Sequence, residues 1–395
     1  MPLAIVNLTA VTPDATLPGA TVLLDGDRIA AVAPGLAVPD GWPSLDAAGC
    51  FAVPGFIDLH VHGGGGYSCS TNDPRELRRY AAWVAATGVT AFLAGVVAPT
   101  PAAGHAALAA VAAADADTAG GARLLGAHLE GPFLNPARHG AFPPSSLRPP
   151  DLGELRGYLA AASGALRILT LAPELPGAAA LVHAALDAGV RVSMGHSDAT
   201  YDQALQALDQ GLRHVTHCFN AMRPFHHRDP GIIAAALADA RPTVELIADG
   251  VHVAPGALRL AIAAAGPGRV CLATDAIPVA GQAGGTEFDL GAVRGRVVDG
   301  AARLSDGTLA GSVATMAGNV RRLSRELGVP LADAVRMAST TPAAALGMGD
   351  RFGRLAPGFA ADLVLLDADL RPVRTFVRGR QVWRAEGGGR GAQIP

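Results

Sequence analysis

The stretches GFIDLH (55–60), PRELRRYAAWVAAT (74–87) and GVTAFLAGVV (88–97) decide the fold. Two apolar runs of strand length flank a helical stretch, the pattern of a strand–helix–strand unit with parallel strands. The rhythm continues outward. Further strands are predicted at 124–130, 168–172, 190–196, 215–219, 244–248 and 270–274, with helices over 177–189 and 201–211 separating some of them. Eight strands in that alternation predict an α/β fold, a (β/α)8 TIM-type barrel. A doubly wound sheet would show a phosphate fingerprint such as GxGxxG after an early strand, and none is present.

The chain ends have another character. Short strands are predicted at 3–9, 20–24 and 29–33, with Asp25-Gly26-Asp27 as a hairpin turn. Strands at 361–366 and 372–377, then the turn Arg378-Gly379-Arg380, repeat the pattern near the other end. The expected division is a small β-sandwich domain formed by 1–53 and 354–395, around a barrel spanning 54–353. Gly358 and Asp362 are expected to have structural roles in the return to that domain.

Composition removes several classes of function. The 395 residues are 50% hydrophobic and 16% charged, with a net charge of −3. That balance lacks the basic footprint a nucleic-acid surface needs. All 31 basic residues are arginines, which excludes Schiff-base lysines, carbamylated-lysine metal bridges and the GxxxxGK[ST] phosphate loop. Gly63 to Gly66 therefore reads as a flexible turn after a strand. Cys50, Cys69, Cys218 and Cys271 form no CxxC, so reduced thiols and a cytoplasmic location are expected. Residues 1–10 carry no basic region of the kind that opens a signal peptide. The apolar run 80–98 is interrupted at Thr87-Gly88, so no membrane span is expected.

In a barrel, chemistry gathers at the C-terminal ends of the strands. The first strand finishes in Asp58-Leu59-His60-Val61-His62, and its pleat turns His60 and His62 to one side. The third ends in His128-Leu129-Glu130, the fifth in Gly195-His196, the sixth in Thr216-His217 and the eighth in Thr274-Asp275. Imidazoles and carboxylates are ligands for borderline divalent ions. An HxH pair alone is weak, but buried ionisable groups at several strand ends cost several kcal/mol each unless paired or metal-bound. His128 reads as a partner of a ligand rather than a ligand. His105 and His183 read as surface residues of helices, and His214 as lying at the opposite end of the barrel.

The set HVH (60–62), HLEGPFLNP (128–136), GHSDA (195–199), THCFNAM (216–222), RDPG (228–231), ADGVH (248–252), TDA (274–276) and LAGSVATM (309–316) resembles the N-acetylglucosamine-6-phosphate deacetylases of the amidohydrolase superfamily. The resemblance runs over essentially the whole chain. It implies metal-dependent hydrolysis of the acetamide of N-acetylglucosamine 6-phosphate. Alternatives are the galacto epimer or another N-acyl amino sugar, and more remotely a catalytically dead barrel scaffold. Glu130, His196 and His217 would hold the principal ion, and His60 and His62 a second position. One or two divalent ions are implied, zinc first, then iron, cobalt or manganese. Asp275 would be the catalytic acid/base. Ala141, Asn220, Ala221, Arg228, His252, Leu309, Ala310 and Gly311 would contact the phosphosugar, with Arg228 on the phosphate. A homodimer is implied, with no nucleic-acid or membrane partner.

One departure stands out. The family usually has a histidine after Gly-Ala in the loop following LNP, yet here Gly140-Ala141 precedes Phe142. A phenyl ring donates no hydrogen bond. His139, three residues earlier, is expected to take over the substrate contact.

Overall fold

The structure is a computed structural model that describes residues 1–12, 14–114, 120–290 and 293–386. Eight parallel strands form the barrel sheet: Phe56–Val61, Val89–Val97, Arg123–Glu130, Leu166–Leu171, Arg191–Met194, His214–Val215, Thr243–Ile247 and Val270–Ala273. They are hydrogen-bonded in sequence order from the first to the eighth. The first strand is buried throughout, as a strand covered on both faces must be. Closure between the first and eighth strands uses their ends. Asp275 N–H donates to the His60 carbonyl at 2.9 Å and His62 N–H to the Ala276 carbonyl at 2.7 Å. Beneath them Thr274 Oγ1 donates to Asp58 Oδ2 at 2.6 Å, a contact that the sequence reading left without a role.

The helix Pro74–Val84 shows why the outer layer forms. Asp73 caps it by accepting from Arg75 N–H, and Pro74 occupies its first turn, where a missing N–H is harmless. Leu77, Tyr80, Ala81 and Val84 are buried at three- and four-residue spacing. Tyr80 meets Phe92 of the second strand edge-on, with ring centroids 4.9 Å apart.

Strands from both chain ends share a separate sheet. Thr16–Asp25 pairs antiparallel with Leu3–Val11 and with Arg28–Pro34, while Phe51–Pro54 joins Leu3–Val11 to Leu363–Leu366. Pro372–Val377 and Arg380–Arg384 complete that edge. Asp362 ties this sheet to the barrel: its carboxylate accepts from Arg123 Nε at 2.7 Å and from Arg123 Nη2 at 2.9 Å. Residues 387–395 of the expected C-terminal part lie outside the described residues.

One expectation is refined here and one element is new. Gly63 to Gly66 holds a turn at Gly65-Gly66, but within a hairpin in which Gly63–Gly64 pairs with Tyr67–Ser68 against Trp83. A methyl group on Gly64 would fall 2.2 Å from the Trp83 ring, which is why only glycine fits. A three-stranded antiparallel sheet, Glu287–Asp289, Arg294–Val298 and Ala301–Leu304, also rises after the eighth strand. Its apolar face packs Phe288, Val297 and Ala302 with Ile277, Val279 and Ala310, beside the barrel mouth.

Candidate active site

The strand ends converge on Glu130. Its Oε1 lies 3.0 Å from His196 Nε2 and 3.0 Å from His217 Nε2. Its Oε2 lies 3.2 Å from His62 Nε2 and 3.6 Å from His60 Nε2. Asp275 Oδ1 completes the group, 3.3 Å from His62 Nε2 and 3.7 Å from His60 Nε2. His196, His217 and Asp275 each follow a strand with φ of +48°, +27° and +49°. Non-glycine residues in that region are uncommon and cluster at functional sites.

Tautomers show what the cluster needs. His196 Nδ1 lies 2.9 Å from the Arg138 carbonyl, which can only accept, so the proton sits on Nδ1. His60 Nδ1 likewise donates to Glu245 Oε2 at 2.9 Å. In the neutral rings both Nε2 atoms then offer lone pairs toward Glu130, acceptor against acceptor. Positive charge must enter there. Burial disfavours it on His62, yet Asp275 and Glu130 outweigh burial and push its pKa up to about 9. Burial alone would raise the Glu130 carboxyl, but His60, His196 and His217 hold it well below the usual range. A divalent ion displaces such protons from nitrogen and oxygen donors. His60, Glu130 and His217 present ligand atoms within 4.8 Å of one another, as do His60, His62 and Asp275. This buried cluster suits a divalent metal ion.

One histidine is placed differently from expectation, and another has an unexpected partner. His214 opens the sixth strand in register with Thr243 at the start of the seventh, at the end of the barrel away from the mouth. Its buried ring donates from Nε2 to Glu245 Oε1 at 2.8 Å. His105 is not a surface residue: it is half-buried, edge-on to Tyr158 at 5.2 Å. His183 is exposed. His128 lies beside His60, its ring centroid 4.5 Å away. Burial and the charge of His60 push its pKa down to about 3, and the neutral ring bridges the Leu59 carbonyl and the Thr170 hydroxyl. Glu245 itself was missed. It stands in a strand recognised only by its apolar neighbours, and the cost of burying a lone acid was the available signal.

A cavity of about 780 Å³ opens over the cluster. His62, Glu130, His196, His217 and Asp275 line its floor, while Ala141, Asn220, Ala221, His252 and Leu309 to Gly311 line its walls. Asp249 Oδ2 accepts from His252 Nδ1 at 2.7 Å, fixing that ring. His60 is buried beneath the floor. Arg228 is not among the lining residues; it sits in an exposed loop against His227. His139 is not among them either, whereas Phe142 is. His139 Nδ1 donates to the Phe142 carbonyl at 2.8 Å, and the Phe142 ring meets His196 edge-on at 5.2 Å.

The sequence profile of the amidohydrolase family matches residues 51–382. The chain belongs to the amidohydrolase family. This amidohydrolase is 39% identical over 334 residues to an N-acetylglucosamine-6-phosphate deacetylase of Vibrio furnissii, covering 84% of this chain and 83% of that one. It is 38% identical over 327 residues to an N-acetylgalactosamine-6-phosphate deacetylase of Escherichia coli O157:H7, with 83% and 86% covered. A mutant N-acetyl-D-glucosamine-6-phosphate deacetylase of Mycobacterium smegmatis, solved with N-acetyl-D-glucosamine-6-phosphate, has a TM-score of 0.89 and 39% identity, covering 97% of this chain and 99% of that one. No helix among the described residues is long and apolar enough to cross a membrane.

Proposed function

We propose that this amidohydrolase cleaves the acetamide of N-acetylglucosamine 6-phosphate, giving acetate and glucosamine 6-phosphate. The observation that carries the reading is the division of Glu130 between two histidine pairs, in a chain whose relatives are amino-sugar-phosphate deacetylases. Glu130, His196 and His217 would hold the principal ion, and His60 and His62, with Glu130 beside them, a second one. Nitrogen-rich donors favour zinc, with iron, cobalt and manganese next. A bound divalent ion supplies Lewis acidity to the acetyl carbonyl and acidifies water.

The protein's own groups do the rest. Burial opposes ionisation of Asp275, but His62 and His60 hold its carboxyl below the usual range, so it begins as a base. It takes the proton of the attacking water and delivers it to the departing amine. Asn220, Ala221, His252 and the turn from Leu309 to Gly311 orient the sugar and its phosphate, with Ala141 beside the acetyl group. Arg228 supplies the phosphate cation to the cavity of a second copy, so the working unit is a homodimer. Its exposed loop, with Phe225 55% exposed, supports that assignment. A cytoplasmic location suits four cysteines that are all unpaired.

The test is acetate release from N-acetylglucosamine 6-phosphate by protein of known metal content, with the galacto epimer assayed beside it. Turnover with a higher kcat/KM for the gluco sugar is expected. No acetate from either sugar by metal-loaded protein would overturn the reading.

A further inference from the structure

Beneath the site stands a carboxylate that the proposed reaction does not use. Glu245, in the strand Thr243–Ile247, is 0% exposed. Its Oε2 accepts from His60 Nδ1 at 2.9 Å and from the His217 backbone N–H at 3.1 Å. Its Oε1 accepts from His214 Nε2 at 2.8 Å. The four imidazoles around Glu130 are therefore not held alike. His196 is tied to a neutral carbonyl, and Nδ1 of His62 and of His217 is buried without a partner among the described residues. His60 is tied to a charge.

We propose that Glu245 is a positioning residue that selectively secures the second metal position through His60. This rests on the two-position reading of the site. An imidazole that lost this acceptor would be free to carry its proton on Nε2, and an Nε2–H cannot ligate an ion. With Nδ1–H held by a carboxylate, Nε2 stays unprotonated toward Glu130 and His62. The same carboxylate makes the ring a stronger donor. The principal position gains less, because His196 does not touch Glu245 and His217 meets it only through the backbone. A carboxylate serving only to hold the barrel together would not discriminate between the two ions. A buried charged network is itself weak support for stability.

Glu245→Gln and Glu245→Leu test this in the full-length protein. Each is loaded with excess Zn²⁺ or Co²⁺, desalted and analysed for metal, and each ion's affinity is measured by chelator competition. The absorption of the second Co²⁺ equivalent reports that position directly, and a melting curve reports folding. The wild type is expected to hold two ions. Glu245→Leu should weaken the second by roughly 10–100-fold, the range for a lost outer partner, and leave the first within about threefold. Glu245→Gln keeps the shape and one acceptor oxygen, so it should weaken the second ion in the same direction by at least about threefold. If the leucine variant does not fold, the glutamine variant carries the test. Two ions at wild-type affinity in a folded variant, or equal weakening of both, overturns the proposal. A wild type that holds only one ion also overturns it. A wild type that holds none takes the metal reading down first.

Discussion

Glu130 divides the site into two histidine pairs that reach it by different routes. His60 lies near the end of one strand and His62 just past it, two residues on, so one short stretch of extended chain brings both to the same side. His196 and His217 come from two strands, and each takes a left-handed backbone turn, with φ of +48° and +27°, as it leaves. Neither residue of the first pair takes a left-handed turn. The second needs an unfavourable conformation that the surroundings must hold, of order 1–3 kcal/mol per residue. The Arg138 carbonyl on the His196 ring and the Asn220 N–H donating to the His217 carbonyl are such holds. The barrel thus builds one half of the site by periodicity and the other by loop anchoring.

The largest effect should come from removing what the halves share. Glu130→Ala should abolish binding at both positions and lower acetate release beyond the roughly 10²–10⁴-fold range of a lost proton shuttle. Metal analysis of the folded variant checks this. Full metal content there would mean that the two pairs hold ions without the carboxylate. Asp275→Asn comes next. It touches both imidazoles of the first pair, yet it should lower kcat by about 10²–10⁴-fold while the principal ion stays bound. Near-normal turnover would assign the proton to another group.

The same contrast explains what could be read in advance. His60 and His62 form a local motif, and the eight apolar strands place the remaining ligand-type residues at one mouth. Glu245 was hidden because an acid inside an apolar strand leaves the strand pattern intact. His214 followed it, since its role exists only through that partner. The sheet of Glu287–Asp289, Arg294–Val298 and Ala301–Leu304 was missed for another reason. Its strands alternate short apolar runs with Asp-Gly turns such as Asp299-Gly300, and read locally as loop. Phe142 was noticed, but no sequence pattern indicates which way a loop of prolines and glycine turns its side chains.

Smaller effects should separate the two halves. A methyl group on Gly95 would lie 2.8 Å from His62 Nδ1 and 2.5 Å from the Val61 carbonyl, so Gly95→Ala presses on the strand-built pair. A methyl group on Gly140, whose φ is +60°, would lie 3.0 Å from His196 Cε1, on the loop-anchored pair. Overpacking of this kind costs about 1–3 kcal/mol, roughly fivefold or more in an equilibrium constant. Gly95→Ala should therefore weaken mainly the second ion, and Gly140→Ala mainly the principal one, as chelator competition would read. The same ion weakened in both variants would mean that the halves act as one unit.

The smallest effect is expected at His139. The missing family histidine made this ring the candidate substitute, but its Nδ1–H is spent on the Phe142 carbonyl and it does not line the cavity. What it contributes is a hold on the loop that carries Phe142 against His196. A half-buried hydrogen bond of this type contributes about 0.5–1.5 kcal/mol to the loop, and only part of that reaches the site. His139→Ala should thus change kcat/KM by no more than about threefold, acting through the loop-anchored half and leaving the second ion untouched. A tenfold or greater fall in kcat with both ions still bound would show that the ring leaves the Phe142 carbonyl and reaches the substrate.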